Sequence, residues 1–113
     1  MRRRLLKSKI HRAVVTGADV DYEGSISLDT ELMQRADIVE WEQVVVLDID
    51  NGARFETYAI PGDAGEVRLN GAAALLVEPG HRVIVLTYVD LDEGERDGHV
   101  PLVVLVDDAN QAP

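Results

Sequence analysis

The stretch from Val44 to Ile60, VVVLDIDNGARFETYAI, reads as two strands around a turn. Val44–Asp50 and Arg54–Ile60 carry the branched and aromatic side chains that suit a pleated surface. Between them, Asn51-Gly52 is the strongest short hairpin signal, because both residues tolerate the positive φ of a tight turn. Working outward, Glu66–Leu69 is a short strand. Arg82–Leu91 and His99–Val106 are long valine-rich runs separated by an acidic, glycine-containing turn, Asp92–Gly98. On the other side lies Ile10–Thr16, with Val14, Val15 and Thr16 branched at Cβ.

Helical signals are sparse. Asp29 is placed to cap a helix reaching about Asp37, with Leu32, Met33 and Ala36 on its apolar face. A second, short helix is expected from Asn70 through Leu76, ended by Pro79-Gly80, and the polar tail Asp107–Pro113 is expected to fray. About six strands with no long crossover helix predict a mainly β chain, a compact barrel with short helices, and exclude a parallel α/β fold. The 113 residues suit one domain.

Apolar residues make up 46% of the chain and aromatics only 4%, so the core must be built from Val, Leu, Ile and Ala. A core this small makes oligomerisation an expected source of stability. The absence of cysteine excludes disulfides, thiolate metal sites and a cysteine nucleophile. A net charge of -10 disfavours nucleic acid and anionic membranes as partners. Six of the eleven cationic residues (Arg2, Arg3, Arg4, Lys7, Lys9 and Arg12) nevertheless crowd the first twelve positions. That start does not read as a signal peptide, because His11 and Arg12 interrupt the apolar run Ile10–Val15. No apolar stretch approaches the ~20 residues that span a bilayer. The sequence therefore reads as soluble and cytoplasmic, with the basic end as a solvated arm.

Phosphate-loop, dinucleotide and zinc motifs are absent, and no metal site is expected. His11, His81 and His99 lie far apart in the chain. The informative segment is Asp21-Tyr22-Glu23-Gly24-Ser25. Gly24 permits unusual backbone angles, and Ser25 places a hydroxyl one residue later. That is the minimal arrangement for an N→O acyl shift, in which Ser25 Oγ attacks the Gly24 carbonyl and converts the amide to an ester. On its own, Gly-Ser is a common turn dipeptide and proves nothing.

Other segments fall into line with it. Lys9-x-His11-Arg12 precedes the site, and Thr16-x-Ala18-Asp19 leads to Tyr22-Glu23-Gly24-Ser25. Asn51-Gly52-x-Arg54-Phe55-x-Thr57-Tyr58-Ala59-Ile60 and Asn70-Gly71-Ala72-Ala73-Ala74 follow. In this order and spacing the chain resembles the pyruvoyl-dependent aspartate 1-decarboxylases over essentially its whole length. The resemblance implies a six-stranded double-psi β barrel and a homotetramer. It also implies decarboxylation of L-aspartate to β-alanine for pantothenate and coenzyme A synthesis. The cofactor it implies is a covalent pyruvoyl group made from Ser25 by autocatalytic cleavage at Gly24-Ser25, acting through a Schiff base. Residues 1–24 and 25–113 would be the two products. Whether the cut is spontaneous or needs a helper protein stays open.

The same resemblance assigns roles. Arg54 and Lys9 would hold the substrate carboxylates, in an order the sequence leaves open. Tyr58 would return a proton to carbon, since a phenol carries its proton at neutral pH. Thr57 would assist cleavage at the Gly24 carbonyl. Asn70, Gly71, Ala72 and Ala73 would line the pocket, shaped further by His11 and Tyr22. Strand alternation puts Arg54 and Tyr58 on one face and Thr57 on the other. A single pocket using all three needs a bent strand or a site between subunits. Two positions depart from the family: Asp21 stands where histidine is common, and the segment from Ile60 to Asn70 is shorter by about two residues than in some members. The rival expectation is a non-catalytic acidic barrel whose basic arm binds a partner or nucleic acid.

Overall fold

The computed structural model describes residues Met1–Pro113. Its first part comprises strands β1 (Arg2–Val14), β2 (Gly17–Asp19) and β3 (Ile26–Asp29), then helix α1 (Thr30–Arg35). Next come β4 (Gln43–Asp48), β5 (Arg54–Gly62), β6 (Val67–Asn70) and a 3-10 helix over Gly71–Leu76. Strand β7 (Arg82–Asp92), helix α2 (Glu93–Arg96) and β8 (Leu102–Leu105) complete it.

All eight strands form one mixed sheet in the order β2-β6-β3-β5-β4-β7-β1-β8. The ends of that order meet, because β1 and β2 are one strand path. Val14 pairs with Arg82 of β7, and Val15 N–H still donates to His81 O at 2.9 Å. One residue later Thr16 N–H donates to Val67 O at 2.8 Å, and Gly17 pairs with Arg68 of β6. The ring thus has six positions: β1/β2, β6, β3, β5, β4 and β7. The expected six-stranded barrel is this ring, and β8 is an addition lying parallel to β1 on its outer edge. Eighteen buried apolar residues fill the interior, Ile10, Ile26, Leu28, Leu69, Val46 and Val85 among them. No aromatic ring is buried.

Local chemistry explains where element boundaries differ from expectation. The β4–β5 turn is wider than a two-residue Asn-Gly turn. Asp48 Oδ1 accepts N–H bonds from Asp50 (2.8 Å) and Asn51 (3.2 Å), an Asx-type turn that ends β4 early. Gly52, at φ 76°, is the only residue of that turn with positive φ. Strand β1 begins at Arg2, because Arg2, Arg3 and Arg4 meet Asp92, Glu93 and Asp90 at the far end of β7. The basic end is therefore an ion-paired ribbon and not a free arm. Both β2 and β3 were hidden in the sequence by shortness and by polar residues. Ser27 and Asp29 of β3 are buried nonetheless, Asp29 because its carboxylate caps α1 at Glu31 N–H and receives Gly65 N–H, each at 2.7 Å. The tail does not fray. Asn110 is buried, accepting Val14 N–H (2.7 Å) and donating to the carbonyls of Val14 and Gly65 (2.9 Å each).

Candidate active site

The turn Asp19–Gly24 delivers Ser25 to the start of β3, and the backbone there is unusual. Gly24 has φ 29° and Ser25 φ 92°. Left-handed backbone in a residue with a Cβ costs roughly 1–3 kcal/mol and survives only where its surroundings impose it. Asn70, at the end of β6, imposes it here. Its backbone N–H donates to Ser25 O at 2.9 Å, and its Nδ2 donates to Ser25 Oγ at 3.2 Å and to Ser27 Oγ at 3.0 Å. Ser25 and Asn70 are each 1% exposed, and Asn70 Oδ1 is buried without a partner.

Gly71 follows, at φ 66°. A side chain on it would begin 2.8 Å from Gly24 N and 2.9 Å from Gly24 Cα, so only glycine lets the two backbones touch. From the other side, the Tyr58 hydroxyl comes within 3.3 Å of where a Cβ on Gly24 would sit. The Gly24–Ser25 peptide is thus clamped between Asn70-Gly71 and Tyr58. Over it opens a cleft of about 460 Å3 lined by Asp21, Tyr22, Glu23, Ser25, Trp41, Tyr58 and Ile60. The sequence reading overlooked two residues here: Ser27, and Trp41, whose indole is 73% exposed and whose φ is 72°. For Ser27 a signal was available, since it lies two positions from Ser25 and strand period would put both on one face. Trp41 is the chain's sole tryptophan, but nothing in the sequence ties it to Ser25.

The anion-binding candidates lie elsewhere on the same chain. Alternation along β5 leaves Arg54, Glu56 and Tyr58 exposed, with Thr57 half-buried on the opposite side. Arg54 faces a separate cleft of about 560 Å3, shared with Arg4, Glu42, Gln43, Glu56, Tyr88 and Asp90 among others. Lys9 and His11 lie two apart on β1, opposite Val103 and Leu105 of β8. His11 lies in a bulge of β1 between Ile10 and Ala13, where Arg12 has φ 67°. The His11 imidazole is held below the ordinary histidine range by burial, then by the positive charges of Lys9 and Arg12. Its Nδ1 is buried without a partner. Thr57 makes no side-chain hydrogen bond, Ala72 is exposed and Ala73 half-buried in the 3-10 helix.

Ion pairing separates the cations. Eight of the eleven are ion-paired: Arg2, Arg3, Arg4, Lys7, Arg35, Arg68, Arg82 and Arg96. The three left over are Lys9, Arg12 and Arg54, in a chain with 21 acidic residues. Two of those three are the residues picked from sequence as carboxylate clamps.

One chain therefore brings together Tyr22, Gly24, Ser25, Tyr58, Asn70 and Gly71. It does not bring Lys9, His11 or Arg54 into the same cleft. The burial, the missing partner on Asn70 Oδ1 and the glycine-only contact at Gly71 fit a reactive group built from Ser25 itself.

Comparison with known proteins agrees. The model of the aspartate decarboxylase family matches residues 1–113. An aspartate 1-decarboxylase of Clostridium kluyveri is 52% identical over 112 residues, covering 97% of this chain and 88% of the relative. Those of Heliobacterium modesticaldum and Syntrophotalea carbinolica are 51% and 49% identical, covering 98% and 97% of this chain and 86% of each relative. The chain belongs to the aspartate decarboxylase family.

Proposed function

We propose that this chain decarboxylates L-aspartate to β-alanine and CO2, using a pyruvoyl group that it makes by cutting itself between Gly24 and Ser25. Family membership supports the reaction. The conformation of the Gly24–Ser25 peptide carries the self-cleavage: a buried serine at φ 92° whose Oγ and carbonyl are both held by Asn70.

Ser25 Oγ attacks the Gly24 carbonyl carbon, the C–N bond breaks, and the hydroxyl proton ends on the released Ser25 amine. Loss of the Ser25 Cα proton then breaks Cβ–Oγ, and the electron pair leaves on oxygen as the Gly24 carboxylate. Water adds to the dehydroalanine that remains and ammonia departs, giving the pyruvoyl end of residues 25–113. Left-handed strain at Ser25 is released when the chain parts, which favours the cut. Thr57 is assigned to the oxyanion formed at Gly24.

A pyruvoyl carbonyl supplies the electron sink for the pair left behind when CO2 departs. The chain's own residues do the rest. Arg54, a planar two-toothed donor, and Lys9, a point charge, hold the two substrate carboxylates. Tyr58, whose hydroxyl lies beside Gly24, is the proton donor to the carbon that loses CO2. Tyr22 walls the cleft, His11 sits two residues from Lys9 with burial and that charge disfavouring its protonated form, and Asn70, Gly71, Ala72 and Ala73 border the site.

Because Arg54 and Lys9 lie away from the Ser25 cleft of their own chain, the working site takes them from a neighbouring subunit of a homotetramer. The role that follows is supply of β-alanine for pantothenate and coenzyme A synthesis in the cytoplasm, from a single domain spanning 1–113.

Coexpression of Ser25→Ala and Arg54→Ala chains tests the shared site. Each variant alone is expected to be nearly inactive. Mixed oligomers are expected to regain roughly a quarter of the wild-type activity, because random assembly pairs an intact Ser25 with an intact Arg54 at that frequency. No recovery in mixed oligomers would place both groups in one chain and overturn the reading.

A further inference from the structure

We propose that Ser27 is a positioning residue for self-cleavage: its hydroxyl anchors the Asn70 side chain so that the amide donates to Ser25 Oγ. The proposal rests on the self-cleavage reading above and assigns a function to a residue outside it.

The geometry follows from the strand period. Ser25 and Ser27 are two apart at the start of β3, so their side chains share one face. β3 runs antiparallel to β6, with Ile26 opposite Leu69 and Ser27 opposite Arg68. Asn70 is therefore opposite Ser25, and Ser27 is its diagonal neighbour, within reach of its amide. The side-chain Nδ2 spans both hydroxyls, 3.2 Å from Ser25 Oγ and 3.0 Å from Ser27 Oγ. Ser25 and Asn70 are 1% exposed and Ser27 is 7% exposed, so bulk water does not compete for these bonds.

The two bonds fix the direction of the amide. A side-chain amide carries two N–H donors on nitrogen and a carbonyl acceptor of similar size. In the observed orientation both donors are used, and only Oδ1 lacks a partner. Turning the amide over would bury two N–H groups without acceptors, a larger loss than one unpaired carbonyl. Without Ser27 Oγ, one N–H loses its acceptor in the observed orientation too. The Asn χ2 torsion is intrinsically broad, so nothing else would hold the remaining N–H on Ser25.

That N–H bears on the chemistry because its acceptor gains charge. In the elimination step Oγ leaves Ser25 Cβ with the bonding pair and becomes a carboxylate oxygen of Gly24. A hydrogen bond to a charged oxygen is about twice as strong as one to a neutral hydroxyl, so the N–H stabilises the departing oxygen more than the resting one. Ser27 acts through Asn70 and touches neither the scissile bond nor the substrate.

The test uses two variants of equal shape. Ser27→Thr keeps the hydroxyl and Ser27→Val replaces it with a methyl, and branched residues suit a strand position. Newly synthesised full-length chain is pulse-labelled, and conversion to residues 1–24 and 25–113 is followed by mass spectrometry. Thermal melts run alongside, and Ser27→Ala serves as a third chain should the branched residues crowd β3. Ser27→Val and Ser27→Ala are expected to cut about 3- to 10-fold more slowly than wild type, the range of one lost hydrogen bond. Ser27→Thr is expected within about twofold of wild type, the rescue that a merely structural role would not give. Equal rates for Thr and Val, with wild type cutting normally, would overturn the proposal alone. Failure of wild type to cut at all would overturn self-cleavage, and the role of Ser27 with it.

Discussion

Two non-glycine residues in left-handed backbone border the Ser25 cleft, and they are held by different means. Ser25 is pinned by two hydrogen bonds from Asn70. Trp41, at φ 72°, is held by its N–H on Ala59 O at 2.7 Å, while its indole is largely in solvent. Little burial therefore offsets its backbone strain. Trp41→Gly is expected to stabilise the chain by about 1 kcal/mol, the cost of placing a Cβ in that region. In a thermal melt this is a rise of about 4–8 °C for a domain near this size. An unchanged or lower midpoint would mean that the indole has packing value in the assembled protein. Neither Trp41 nor Ser27 was read from the sequence as part of the site. A positive φ at tryptophan leaves no mark in the sequence, and the partner of Ser27 is 43 residues away. Gly24-Ser25 stood out only in company with the ordered segments around it, since a Gly-Ser pair alone is a common turn.

At the level of elements, the start of β7 is tied to the end of β4 by a histidine. His81 Nδ1 lies 2.7 Å from Asp48 Oδ2, Arg82 N–H donates to Asp50 Oδ2 at 2.8 Å, and Ile49 N–H donates to Arg82 O at 2.9 Å. The hydrogen bond to Asp48 raises the His81 pKa above the ordinary histidine value despite burial, helped by the charges of Asp48, Asp50 and Glu78. A folded-state pKa above the unfolded one means that the protonated ring stabilises the fold. That contribution is complete below about pH 6.5 and is lost as pH rises through the folded-state value. Urea unfolding between pH 6 and pH 9 is expected to show wild type losing stability relative to His81→Gln. Parallel pH profiles for the two chains would contradict the role given to this pair. Legibility at this scale followed hydrophobic pattern. The cores of β4, β5 and β7 were plain from their branched residues. The first half of β1 was not, because Arg2–Arg4 acquire strand character only from acids some 90 positions away on β7 and α2. In β8 the strand starts at Leu102 and not His99, since Pro101 has no N–H to give and His99 is turned onto the Leu6 carbonyl at 2.7 Å.

For the whole molecule, the barrel separates two functions that the proposed reaction must join. The ring carries the Gly24–Ser25 peptide on one cleft, and the unpaired cations Lys9 and Arg54 away from it. Sequence order could not reveal that separation: alternation along β5 put Arg54 on one face with Tyr58 and set only Thr57 apart, yet the two exposed residues line different clefts. In a chain with net charge -10 these two cations have no acidic partner, and the proposed reaction assigns them to the carboxylates of its substrate. Their use requires that Ser25 first be converted, so the cut is the central claim. Intact-mass analysis of the purified protein tests it most directly. Two species are expected, residues 1–24 and residues 25–113, the larger lacking a free amino terminus and carrying a ketone that reacts with hydrazine. A single uncut chain of 113 residues that forms no β-alanine from L-aspartate would contradict it.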